Sequence, residues 1–151
     1  MTPAPQAEGD AVAALPRAVL VDIDGTLAIR ADRSPFDWHR VGEDRPNPPV
    51  VELVQLIGAA GRHEIILVSG RDESCRWQTE MWLDAQRVPY AELYMRPERD
   101  NRKDFVVKEE LYRRHIEGRY TVAFVIDDRD QVVRQWRTMG LTCFQVADGD
   151  F

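Results

Sequence analysis

The sequence predicts an α/β fold, a five-stranded parallel sheet layered between helices, and three observations carry that prediction. Five short apolar runs recur along the 151 residues. Most are nearly continuous rather than alternating, which is the pattern of strands buried on both faces. Segments of helical periodicity separate them, and strands alternating with helices favour right-handed crossovers in one layered domain.

Each element has its own signal. The strand candidates are RAVLVDI (17–23), EIILVS (64–69), AELYM (91–95), TVAFVI (121–126) and LTCFQVA (141–147). In NPPVVELVQLIGAAG, Pro marks a helix start and Gly61 an end, with Val50, Leu53, Val54 and Ile57 on one face. ESCRWQTEMWLDAQR sets Trp77, Met81 and Asp84–Ala85 on successive turns. DFVVKEELYRRHI offers Asp104 as an N-cap, with Val107 and Leu111 one turn apart. RDQVVRQWRTMG groups Val132, Val133 and Trp136 and ends at Gly140, a C′ position.

Two stretches break the rhythm. Residues 1–16, rich in Ala and Pro, read as a flexible leader before a single domain at 17–151. Residues 28–48, AIRADRSPFDWHRVGEDRPNP, are long, charged and irregular, and loops of that length in compact domains are usually functional. Following the first strand, this one would hang over the carboxyl end of the sheet.

Composition narrows the function. The net charge of −6 argues against an extended basic surface for duplex nucleic acid, though it leaves room for a small basic pocket. Cys75 and Cys143 lie far apart and read as free thiols of a reducing compartment such as the cytoplasm. No apolar run approaches the roughly 20 residues of a membrane span, and the first residues lack the pattern of a signal peptide.

Ligands of open parallel sheets bind beyond the carboxyl ends of the strands. There the chain places Asp22, Asp24, Gly25 and Thr26 after the first strand, and Ser69, Gly70 and Arg71 after the second. Asp127 and Asp128 follow the fourth. Arg102, Lys103 and Asp104 precede the third crossover helix, and Lys108 lies within it. An acidic cluster ringed by a hydroxyl and cations suits Mg2+, which prefers carboxylates, waters and a substrate phosphate. The cations and Ser69 suit phosphoryl oxygens. One aspartate can act as a nucleophile and another, two residues on, can handle the leaving-group proton.

Each piece alone has a plainer reading. DxDGT makes a good turn, Ser-Gly is a common loop dipeptide, and a lysine on a helix is usually a solvated charge. Trp77, Trp82 and Trp136 read as packing residues, and His39, His63 and His115 show no metal-ligand spacing. What favours function is that the pieces fall in order at the ends of successive strands.

These residues resemble the haloacid dehalogenase superfamily: VDIDGT its first motif, VSGR its second, Lys108 its third and VIDD its fourth. Beyond the four motifs, NPPVVELV, GRDES, RKDFVVKEELYRRHI and VIDDRDQVVRQWRTMGLTCFQVADGDF resemble the 3′-phosphatase domain of phage-type polynucleotide kinase–phosphatase, over roughly residues 18–151. The resemblance implies a Rossmannoid three-layer fold with a small flap after strand 1 and no large cap domain. It also implies Mg2+-dependent removal of a 3′-phosphate from DNA or RNA ends. By position, Asp22 would be the nucleophile and Asp24 the general acid and later base. Asp22, the Asp24 backbone carbonyl and the Asp127–Asp128 pair would hold the metal, with the choice between that pair open. Ser69 and Lys108 would hold the transferring group, and Arg33, Arg71 and Asp104 match further functional positions, with Thr26 and Gly70 beside them. Arg33 would give the irregular loop its purpose as a flap over substrate.

The chain departs from the pattern in two ways. It has no GxxxxGK[ST] kinase loop, so it reads as a free-standing phosphatase or one domain of a longer protein, with a separate kinase or ligase as partner; oligomerisation stays open. The segment after VSGR is short, so substrate contacts near residues 72–76 do not carry over. Two other functions compete: a small-molecule phosphatase for nucleotides or sugar phosphates, and a noncatalytic phosphate-binding or phosphoaspartate module, which the presence of Asp24 disfavours. Arg96, Arg99, Arg102 and Lys103 read equally as a backbone track or as a solvated loop.

Overall fold

A computed structural model describes residues 14–151 of the chain. Residues 1–13 of the expected leader lie outside them. In chain order the elements are β1 Arg17–Val21, β2 Ala28–Ile29, β3 Arg45–Pro46, α1 Pro48–Ala60, β4 Glu64–Asp72, α2 Arg76–Ala85, β5 Glu92–Arg96, α3 Asp104–His115, β6 Thr121–Asp127, α4 Asp130–Thr138 and β7 Cys143–Gln145. All five expected strands form, in one parallel sheet of order β5-β4-β1-β6-β7.

The continuous apolar runs have the expected cause. Side chains alternate across a strand, and here each face of the sheet is covered. Val19 and Val21 of β1 enter one core with Val50, Val51 and Val54 of α1 and Trp82 and Leu83 of α2. Ala18 and Leu20 point the other way, joining Val107 and Leu111 of α3 and Val132, Val133 and Trp136 of α4. Burying one such aliphatic side chain is worth about 1.5–3 kcal/mol. Because β1 is central, pairing with β4 on one side and β6 on the other, the backbone leading to Asp22 is held from both edges. The amide of Asp22 extends that ladder, donating to the Ile126 carbonyl at 3.0 Å.

The helix ends follow their sequence signals. After α4 the Gly140 amide bonds the Arg137 carbonyl and the Leu141 amide bonds the Trp136 carbonyl. That double closure needs a left-handed residue between them, and Gly140 supplies it at φ 85°.

Three local expectations need correction. Leu53 is exposed, and α1 buries Val50, Val51 and Val54 instead. This helix carries apolar residues around much of its circumference, so periodicity alone does not single out the inner stripe. In α2 it is Thr79, Trp82 and Leu83 that face the core, while Trp77 and Met81 face water. Two apolar stripes compete on that helix, and the winning one lets the Trp82 indole N–H reach the Asp44 carbonyl at 2.7 Å. Asp104 does not cap α3. Lys103 occupies the cap position without a side-chain bond, and Asp104 is the first helical residue.

The irregular segment 28–48 is an ordered flap. A two-residue antiparallel pair, Ala28 with Pro46 and Ile29 with Arg45, closes its base. A 3-10 helix over Trp38–Glu43 buries Val41 against the core. No helix among the described residues is long and apolar enough to cross a membrane.

Replacing Leu20 with Ala should lower stability by about 2–5 kcal/mol. The same change at exposed Leu56 should stay within about 0.5 kcal/mol. Urea denaturation monitored by circular dichroism distinguishes the two.

Candidate active site

The first strand ends by turning sharply. The Gly25 amide donates to the Ala28 carbonyl and the Thr26 amide to the Ile23 carbonyl. Gly25 has φ +80°, and a Cβ there would overlap the Asp128 carboxylate, so both conformation and space require glycine. The turn sends the two aspartates into different surroundings.

Asp22 is buried within a cluster of acids. Its carboxylate lies with those of Asp127 and Asp128 so that one oxygen from each falls within 4.8 Å of the others. Lys108, brought in by α3, is the counter-charge. Its Nζ donates to Asp22 Oδ1 at 2.7 Å and to Asp127 Oδ2 at 3.0 Å. Thr26 Oγ1 donates to Asp22 Oδ2 at 2.9 Å, and lies 3.2 Å from Asp128 Oδ1.

Three carboxylates against one ammonium leave excess negative charge. Burial first, and then the Asp127 charge, push the Asp22 carboxyl well above its usual range, against the pull of Lys108. Burial likewise raises Asp128. For Lys108 burial alone would favour the neutral amine, but Asp127 and Asp22 outweigh it and keep the side chain charged. A divalent cation fits this oxygen-only donor set, because it would satisfy the charge that Lys108 leaves uncompensated.

The members of the Asp127–Asp128 pair are not equivalent. Asp127 Oδ1 accepts the Asp128 amide at 2.8 Å. Its Oδ2 accepts Lys108 and the Trp136 indole N–H, the latter at 3.2 Å. Asp128 faces the Thr26 hydroxyl and the Asp22 carboxyl. Trp136 was legible in the sequence only as packing; its hydrogen bond to the acidic pair was not.

Asp24 sits apart from the cluster, with 40% of its side chain exposed. Arg71 reaches it with Nε at 3.0 Å and Nη2 at 2.9 Å. Arg33 Nη2 stands 3.5 Å away. Behind both arginines lies Asp44, fully buried and not singled out by sequence reasoning. It takes a two-pronged contact from Arg33, at 2.9 and 2.7 Å, and a third donor from Arg71 Nη2 at 3.0 Å. The Ala31 amide adds a bond to its Oδ1. Arg71 also donates to Thr79 Oγ1. The flap, the second motif and α2 thereby share one buried network aimed at Asp24. Asp44 had no motif to betray it, being one of four acids in the flap with Asp32, Asp37 and Glu43.

The remaining expected residues divide. Gly70 and Asp104 reach the open site. Asp104 is clamped between Arg96 and Arg129, the latter at 2.9 Å. Burial would raise its pKa, but Lys108, Arg96 and Arg129 together draw it below the usual carboxylate range. Ser69, Thr26 and Arg71 are buried. Ser69 Oγ accepts the Arg71 amide at 3.1 Å, and Arg71 spends its guanidinium on Asp24, Asp44 and Thr79. In the loop before α3, Arg102 pairs with Asp100 and Glu110.

Asp22, Asp24, Asp127, Asp128, Lys108 and Arg33 all open onto one cleft of about 730 Å3. Its rim includes Arg30, Phe36 and Trp38 of the flap, and Arg129 and Phe151. What the arrangement offers is a buried carboxylate held by a lysine, a second carboxylate at the mouth, three acids that could hold a metal ion, and arginines among the lining residues.

Residues 16–151 match the family described as the polynucleotide kinase PNKP phosphatase domain. A curated relative from Autographa californica nuclear polyhedrosis virus, a "Putative bifunctional polynucleotide kinase/RNA ligase", is 37% identical over 135 residues. The match takes in 87% of this chain and 20% of that protein. A chain from the structure of the Pnkp1/Rnl/Hen1 complex superposes with TM-score 0.88 at 40% identity, over 92% of this chain and 48% of that one. A second, from the Pnkp1/Rnl/Hen1 RNA repair complex, gives 0.87 at 40%, over 91% and 44%. A class C acid phosphatase from Bacillus anthracis shares the fold, with TM-score 0.67 at 13% identity over 89% of this chain and 67% of that one. The chain thus spans less than half the length of the curated relative and of the two solved chains from the Pnkp1/Rnl/Hen1 complexes, and it shares the α/β fold of those two solved chains. With the site geometry and the match over residues 16–151 taken together, the chain belongs to the polynucleotide kinase PNKP phosphatase-domain family, of haloacid-dehalogenase type.

Proposed function

We propose that this chain is a Mg2+-dependent polynucleotide 3′-phosphatase acting on DNA or RNA ends. The observation that carries the reading is the division between two aspartates two residues apart: Asp22 on Lys108 in the acidic cluster, Asp24 on arginines at the mouth. The family membership supplies the substrate class. The RNA repair complex that contains one similar chain favours RNA ends, and a kinase or ligase partner, as the setting. Buried free thiols at Cys75 and Cys143 suit a reducing compartment such as the cytoplasm.

In this mechanism a carboxylate oxygen of Asp22 attacks phosphorus as the bond to the 3′ oxygen breaks, and Asp24 gives that oxygen its proton. Asp24 then takes a proton from water. The water oxygen attacks the phosphoryl group held on Asp22, the acyl–phosphate bond breaks, and Asp22 and phosphate are released. Arg71 and Asp44 keep Asp24 in place. Lys108 fixes the attacking carboxylate and offsets charge on the transferring group, with Arg33 as a further donor. Asp22, Asp128 and the Asp24 carbonyl would hold Mg2+. Asp127, whose oxygens are already taken by Lys108, Trp136 and its own loop, would orient Lys108. When bound, the cation supplies neutralisation of the crowded phosphoryl and carboxylate oxygens.

Three measurements test this reading. Asp22→Asn should abolish phosphate release while leaving the circular dichroism spectrum native; substantial Mg2+-dependent turnover in that variant would refute the nucleophile. Matched DNA and RNA oligonucleotides should lose a 3′-phosphate and keep a 5′-phosphate. Faster turnover of mononucleotides than of oligonucleotide ends would instead favour a small-molecule phosphatase.

The third is thermodynamic. Asp22 and Asp128 are raised in the folded protein, so without metal the native state binds more protons than the unfolded chain, and stability falls as pH rises through that window. A cation needs the ionised carboxylates, so its stabilisation grows over the same range. The gain in Tm on adding Mg2+ should therefore be larger at about pH 8 than at about pH 5. A gain independent of pH would remove the acidic cluster as the binding site.

A further inference from the structure

The cleft contains more apolar surface than phosphoryl chemistry needs. A phosphate, a cation and a water are served by Asp22, Asp24, Lys108 and the neighbouring carboxylates, yet the walls also carry aromatic rings. Phe36 on the flap is 80% exposed, and Phe151 in the last described segment is 62% exposed. Both line the cleft. Trp77 and Phe144, the other strongly exposed rings, do not.

Neither ring is on a loose support. Phe36 meets Trp38 edge-on, with ring centroids 6.3 Å apart, and Trp38 packs against the core. Three residues before Phe36, Arg33 is locked to Asp44, so the flap is tied to the same network that holds Asp24. Phe151 lies on Arg129, whose guanidinium carbon is 5.1 Å from the ring centroid. Arg129 Nε also donates to the Phe151 carbonyl at 2.7 Å, and the Asp130 amide binds the Gly149 carbonyl at 2.9 Å. The segment is thus fastened to the loop that carries Asp127 and Asp128.

An exposed aromatic ring held rigidly beside a phosphate site and a cation is the arrangement that stacks a nucleobase. Arg30 and Arg129 line the cleft, with Asp104 and Asp148 beside them, and offer cations to the further phosphates of a strand that extends outward. We propose that Phe36 and Phe151 form the platform that receives the terminal nucleoside of a polynucleotide strand and sets the preference for a nucleic-acid end over a small phosphomonoester. This deepens the 3′-phosphatase reading and rests on it. Stacking is indifferent to base identity, so the platform accepts any terminal base. It acts in binding and leaves the chemical step alone, because a phenyl ring carries no acid, base or nucleophile.

The test compares wild type with Phe36→Ala, Phe151→Ala and Phe36→Trp. The substrates are two single-stranded oligonucleotides with a 3′-phosphate, one with a normal terminal nucleotide and one whose terminal nucleotide lacks its base. Each alanine variant should raise KM for the normal strand by about 10-fold, within the worth of one base–aromatic stack, with kcat little changed. Phe36→Trp should restore it. On the abasic strand the alanine variants should match wild type. An equal penalty on both strands, or none on either, overturns the platform while leaving the 3′-phosphatase reading intact. If wild type releases phosphate from neither strand, that reading fails, and the platform is judged by binding. Strands ending in a 3′-hydroxyl, with and without the last base, are titrated against Asp22→Asn protein while intrinsic tryptophan fluorescence, which includes Trp38 beside Phe36, is followed. Base-dependent quenching that Phe36→Ala removes upholds the platform; equal quenching by both strands refutes it.

Discussion

Everything at the site depends on one buried ammonium. Lys108 stands between Asp22 and Asp127, and without it two buried carboxylates would face each other with no counter-charge. Breaking a buried ion pair by removing one partner typically costs about 3–5 kcal/mol, because the surviving charge keeps its desolvation penalty. Here a single side chain neutralises one acid and orients another, and Trp136 shares the task from the far side of Asp127. With three carboxylates against one ammonium the cluster stays two positive charges short, and that deficit suits it to a divalent cation rather than to a closed structural ion pair.

A second buried acid does comparable work for the other half of the site. Asp44 collects Arg33 and Arg71, and those two collect Asp24. The two networks meet only through the short turn at Gly25. Asp22 and Asp24 are therefore held by separate sets of partners, although they are two residues apart in the chain. Their electrostatic settings can differ for that reason: Asp22 faces other acids, and Asp24 faces guanidinium groups.

Much of this was legible in the sequence, and the reasons are specific. Strands buried on both faces announce themselves as unbroken apolar runs, so all five were readable. A parallel sheet gathers the ends of its strands, so polar residues after successive runs pointed to one location. The α1 and α2 faces were misread because Leu53, Trp77 and Met81 are as apolar as the residues that won the core; packing against the sheet decided, and periodicity could not. Asp44 went unseen because its partner Arg71 is 27 positions away and belongs to another element. The hydrogen bond of Trp136, and the fastening of Phe151 to Arg129, likewise join residues that nothing in the linear pattern relates. Ser69 and Arg71, read as facing substrate, are placed behind the cleft surface, a depth that residue type does not encode.

The central position of β1 has a consequence for how the molecule breathes. A strand with neighbours on both edges is released only when the whole sheet comes apart, so the backbone carrying Asp22 belongs to the slowest-exchanging, most cooperative unit of the fold. The flap is secured at its base by two residue pairs and by the Asp44 contacts, a far smaller set. Its opening free energy can be a fraction of the global value. The backbone of Asp22 thus belongs to the part of the fold that is secured on both edges, while the flap rests on fewer contacts.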